Sequence, residues 1–128
     1  MSYYFSKTIS SSFEEAVTRV TEALKKEGFG ILTDINVKET LKKKLNVDFP
    51  NYRILGACNP PFAYQALQAE DKIGIMLPCN VIVQERPGSV VEISAVDPVA
   101  SMASVVNPKL TEIAVQVREK LKNVIDEL

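Results

Sequence analysis

The stretch Cys79-Asn80-Val81-Ile82-Val83-Gln84-Glu85-Arg86-Pro87-Gly88-Ser89-Val90-Val91-Glu92-Ile93-Ser94-Ala95-Val96 decides the fold. Two runs rich in β-branched residues flank Arg86-Pro87-Gly88-Ser89, a set that favours a turn, so the chain doubles back as a hairpin. Val91, Ile93 and Ala95 fall on one face of the returning strand. Strands joined this way are antiparallel neighbours, so the second half of any sheet built here is antiparallel. Just upstream, Ile73 to Leu77 is another apolar run, separated from Cys79 by Pro78, which has no N–H to give a ladder. The two runs read as two strands or as one strand kinked at the proline.

Moving outward, Tyr52 to Cys58 reads as a strand, and Asn59-Pro60 opens a helix whose buried side is Phe62, Ala63, Ala66 and Leu67. Toward the N-terminus, Tyr3 to Ile9 alternates with the period of a half-buried strand, and Phe29 to Ile35 is a second strand. Between them Ser12 and Glu15 have capping-box spacing. Phe13, Ala16, Val17, Val20, Ala23 and Leu24 then form the apolar stripe of a helix that stops at Gly28 after Lys25 and Lys26. Val37 to Leu45 is a short, weakly amphipathic helix. Its Lys38, Lys42, Lys43 and Lys44 read as a solvated face more readily than as an anion patch. Toward the C-terminus, Asp97-Pro98 opens a brief helical turn through Met102. Asn107-Pro108 opens a long helix with the stripe Leu110, Ile113, Ala114, Val117, Leu121 and Val124.

These elements predict one α+β domain over residues 1–128, with an antiparallel or mixed sheet covered on one face by the first and last helices. The strand run from Ile73 to Val83 reads as apolar on both sides, which leaves an apolar sheet face uncovered and predicts a homodimer through that face or an edge. With 128 residues, 46% of them hydrophobic, the chain is long enough to bury a core of its own. A net charge of -1 gives no general attraction to phosphate, so neither nucleic acid nor an anionic membrane is an expected partner. No apolar run approaches the ~20 residues of a membrane span and no signal-peptide pattern is present, so the expected location is cytoplasmic.

The absence of histidine removes the usual general base and metal ligand. Two corners carry what chemistry remains: Ala57-Cys58-Asn59-Pro60-Pro61 and Leu77-Pro78-Cys79-Asn80. Cys58 precedes a helix N-terminus, where the macrodipole favours a thiolate, and a catalytic residue, if there is one, is Cys58. The plainer reading packs both cysteines as small hydrophobes, caps a helix with Asn59, shapes a bend with Asn80 and caps a turn with Asp97. A pocket for a small molecule near these corners would be lined by Cys58, Asn59, Phe62, Cys79, Asn80 and Asp97. Two thiolates leave a zinc tetrahedron half built, and no metal or other cofactor is expected. Glu14-Glu15 and Glu70-Asp71 read as solvated charges. The residues therefore favour a non-catalytic binding module, with a thiol-dependent enzyme or redox sensor using Cys58 and Cys79 as the alternative.

The elements Arg53-Ile54-Leu55-Gly56-Ala57-Cys58-Asn59-Pro60, Gly74-Ile75-Met76-Leu77-Pro78-Cys79-Asn80-Val81 and Val96-Asp97-Pro98 with Met102 resemble the family catalogued as domain of unknown function 302, small bacterial and archaeal proteins. The resemblance covers essentially the whole chain. It implies an α+β fold similar to that of the TATA-binding protein and a dimeric state, and it brings no activity with it.

Overall fold

The computed structural model describes residues 2–128. Five strands form one antiparallel sheet in the order β1-β5-β4-β3-β2, with β1 Tyr4–Ser10, β2 Gly30–Asn36, β3 Tyr52–Cys58, β4 Cys79–Arg86 and β5 Val90–Val96. The helices are α1 Phe13–Lys26, α2 Val37–Leu45, α3 Pro60–Ala69, α4 Pro98–Ser101 and α5 Pro108–Asp126. The predicted hairpin is the middle of the sheet. Arg86 pairs with Val90, and Gly88 and Ser89 take positive φ of 87° and 59°, the left-handed conformation that lets so short a link reverse the chain.

Local chemistry sets the helix limits. The Ser12 hydroxyl accepts from the Glu15 amide at 3.2 Å to start α1, and Gly28 at φ 87° follows its end. The Asn107 carbonyl oxygen accepts from the Lys109 and Leu110 amides to start α5, with Pro108 where an N–H is not needed. Since β1 lies at one edge of the sheet and β2 at the other, α1 must cross the sheet to join them, and it packs on β2, β4 and β5. Ala16, Val20 and Leu24 of α1 and Leu110, Val117, Leu121 and Val124 of α5 meet Leu55, Val81, Val83, Val91 and Ile93 in one buried layer. In contrast, α2 buries no residue, despite its predicted apolar positions.

Two strand readings need correction. Asp71–Met76 is a 3-10 helix and not a strand, and it leads into a cis Leu77-Pro78 bond before β4 begins at Cys79. An apolar run of this length carries no period that separates strand from helix, and here Ile73 is drawn into the core beside α3. The expectation of a strand apolar on both sides fails with it. On β4 the helix-facing residues are Cys79, Val81 and Val83, whereas Asn80, Ile82, Gln84 and Arg86 face the uncovered side. No helix among the described residues is long and apolar enough to cross a membrane.

Candidate functional site

One end of the sheet carries an apolar cavity of about 270 Å³. Its walls come from the ends of β3 and β4, the start of β2, and the facing sides of α3 and α5, with α4 closing one side through Pro98 and Met102. Phe29, Phe62, Ala66, Leu110 and Ile113 supply much of the lining. The cavity exists because α3 is short and small on this side: Ala63 and Ala66 stand where larger side chains would reach α5.

Four of the predicted site residues, Cys58, Asn59, Phe62 and Cys79, line this cavity. The β3–β4 register places Ala57 opposite Cys79, so Cys58 is the diagonal neighbour of Cys79 and belongs to the next pleat along. Both cysteines are free; Cys79 is buried and Cys58 is half-buried. Burial, reinforced by the neighbouring Cys58, pushes the Cys79 thiol up to about 11. A thiol held protonated in this way is a packing group, since the nucleophile and metal ligand is the thiolate.

Asn59 corrects the capping expectation. Its side chain makes no cap bond to α3; Nδ2 donates instead to the Glu27 carbonyl at 3.0 Å, tying the β3–α3 corner to the end of α1. The reason lies at the neighbouring turn, where Gly28 passes so close that a Cβ there would stand 3.1 Å from Asn59 Nδ2. That amide is consequently committed to structure. Leu67, predicted for the buried side of α3, is exposed at the cavity's rim.

Asn80 and Asp97 lie apart from the cavity. Asn80 is exposed on the uncovered side of β4. Asp97 caps α4 through the Val99 amide at 3.0 Å, and its Oδ2 lies 3.4 Å from Arg118 Nε, while the Arg118 guanidinium sits 5.8 Å above the Phe5 ring. Asp97 thus links β5, α5 and β1 and does not reach the thiols. Glu14 and Asp71 are exposed, with Glu14 approaching Arg53 at 3.7 Å, whereas Glu70, expected to be solvated, is half-buried at the end of α3. Arg53 is bound more closely by Asp34, whose carboxylate accepts from Nε at 2.8 Å and raises the guanidinium's already high pKa.

A second concavity escaped the sequence reading. It lies on the sheet's uncovered side, measures about 490 Å³, and is floored by Ile82, Gln84, Glu92 and Ser94 with Tyr3, Tyr4 and Tyr52 around it. The signal was present in the alternate positions of β4 and β5, which are polar or mixed wherever the intervening ones are aliphatic. Among the described residues no group of three or more cysteine, aspartate or glutamate side chains is placed to hold a metal ion.

The model of the family described as domain of unknown function DUF302 matches residues 5–128. No curated protein matches the chain. A crystal structure of an uncharacterized conserved DUF302 protein from Bacillus stearothermophilus is similar at a TM-score of 0.90 and 30% sequence identity, covering 98% of each chain. With the family model spanning nearly the entire sequence and the same arrangement of helices on the sheet in a solved relative, the chain belongs to the DUF302 family.

Proposed function

We propose that this protein is a non-catalytic binding module whose apolar cavity takes a small, uncharged, apolar molecule. The lining carries the reading. Beyond aliphatic and aromatic groups it offers only sulfur atoms and the Asn59 amide, which is already bonded to Glu27. A charged or strongly polar guest would lose its water there and gain no partner, whereas an apolar one loses only unfavourable hydration. The setting this supposes is the reducing cytoplasm, where both thiols stay free. A thiol-dependent role for Cys58 with Cys79 is the weaker reading, because burial holds Cys79 in its unreactive form.

Self-association is the second part of the proposal. With the two-sided apolar strand corrected, support for a homodimer rests on a different fringe: Leu32 and Ile35 on edge strand β2 are 66% and 47% exposed, and Leu45, Val47 and Phe49 follow on α2 and its exit. A second copy covering this fringe would remove apolar surface that is otherwise left in water.

Titration with the neutral dye N-phenyl-1-naphthylamine tests the cavity. Saturable fluorescence enhancement is expected in the native protein and loss of it in Ala63→Phe, which fills the cavity from its half-buried wall. No enhancement, or an unchanged one in a cooperatively melting Ala63→Phe protein, would overturn the reading. Sedimentation tests the dimer separately: twice the chain mass is expected, falling to the chain mass in Ile35→Asp, which lies outside the cavity wall, and a monomeric native protein would sink it.

A further inference from the structure

The uncovered face of the sheet has a construction that the apolar cavity lacks. Glu92, in the middle of β5, accepts from Arg86 Nη2 at 2.8 Å and Nε at 3.1 Å, from Gln84 Nε2 at 3.3 Å and from the Ser6 hydroxyl at 3.1 Å. Ser6 in turn lies 3.1 Å from the Ser94 hydroxyl. Side chains from three strands are thereby held in fixed orientations across a concave floor, with the Arg86 and Glu92 charges cancelling each other. Three of the chain's four tyrosines, Tyr3, Tyr4 and Tyr52, gather around that floor.

We infer that this concavity is a binding site for a neutral polyhydroxylated ring, a small saccharide in chemical class. Four observations select the class. The paired Arg86 and Glu92 leave no net field to hold an anion or a cation. Amide and hydroxyl groups of Gln84, Asn80 and Ser94 offer donors and acceptors side by side, as a ring of hydroxyls requires. Tyrosine rings give rigid apolar surfaces for the C–H face of such a ring and a hydroxyl at their tips. The space of about 490 Å³ lies within the ordinary range of small-molecule sites. An apolar guest is better served by the other cavity, and the two sites are on different sides of the sheet.

The chain has no tryptophan, so its intrinsic fluorescence comes from the four tyrosines, three of which surround this site. Titration of the full chain with cellotriose and with maltotriose is expected to give a saturable fluorescence change with at least one of them, with a Kd of about 1 mM or tighter. Tyr52→Ala and Gln84→Ala should each weaken it by about tenfold or more. Tyr64→Ala, at an exposed position of α3 away from the site, should leave it unchanged. The absence of a saturable response to both sugars would overturn the proposal, as would a response that survives Gln84→Ala in a folded protein. A native dimer that Tyr52→Ala converts to monomer would overturn it as well, by assigning the face to a second copy of the chain.

Discussion

The two faces of the sheet are built from the same strands and behave as different materials. On β4, Val81 and Val83 have no exposed surface, while the residues between and beside them, Asn80, Ile82 and Gln84, meet water or one another's polar groups. Under the helices, burial of aliphatic groups holds the layer together and the cavity at its end is a gap in that packing. On the uncovered side, order comes from hydrogen bonds converging on Glu92. An apolar face discriminates by shape and dryness, and a networked polar face by the direction of its donors and acceptors, so the two concavities suit chemically unlike guests.

The sharpest way to break this comparison uses adjacent residues. Val81→Asp places an unpaired charge in the buried layer and should prevent stable folding, whereas Ile82→Asp, one residue along and on the other face, should cost under about 1 kcal/mol. Thermal unfolding of both variants checks this, and similar melting temperatures would show the faces to be alike. A large effect is also expected at Gly56, which lies against the Thr33 side chain and the Pro78 ring. A Cβ there would lie 2.1 Å from Thr33 Oγ1 and 2.7 Å from Pro78 Cγ. Gly56→Ala should destabilise by about 2–4 kcal/mol in denaturant titrations. Adding Thr33→Ala should recover only part of that, because the proline ring remains.

A smaller effect sharpens the reading of the buried face through pH. Below about pH 9 folded and unfolded Cys79 both carry the proton, and between about 9 and 11 the unfolded chain ionises while the folded thiol resists. Native stability should therefore fall through that window by roughly 2–3 kcal/mol more than it does in Cys79→Ala, measured by denaturant midpoints. Equal losses would mean that Cys79 is not buried as described. The mildest test is alkylation by iodoacetamide at neutral pH, with Cys58 expected to react faster than Cys79 in the folded protein. The reverse order, read by mass spectrometry of the two peptides, would exchange their places in the cavity wall.

Sequence and structure agree most closely where a local rule and a long apolar period coincide. Ser12 with Glu15, the stripe from Phe13 to Leu24, Asn107-Pro108 with the stripe from Leu110 to Val124, and the turn at Gly88 all have their causes within a few residues. They appear in the fold as expected. Ile73 to Leu77 departs from the expected strand because so short an apolar run fits a buried 3-10 turn as well as a strand. Asn59 was misread because its amide answers to Glu27, 32 residues away in sequence, and not to its own helix.

What the sequence determined by itself was therefore the set of elements apart from the stretch around Ile73 to Met76, the antiparallel hairpin at the sheet's centre and the two helices with a face to bury, since caps, turns and periodicity act over short chain distances. Only the tertiary structure decided the sheet order that sets β1 beside β5, the gap between α3 and α5 that becomes a cavity, and the gathering of Ser6, Gln84, Arg86 and Glu92 into one network. Those features depend on which distant side chains meet across the sheet and how completely they fill the space between layers. Packing and cross-strand hydrogen bonding settle that only when the whole chain is assembled.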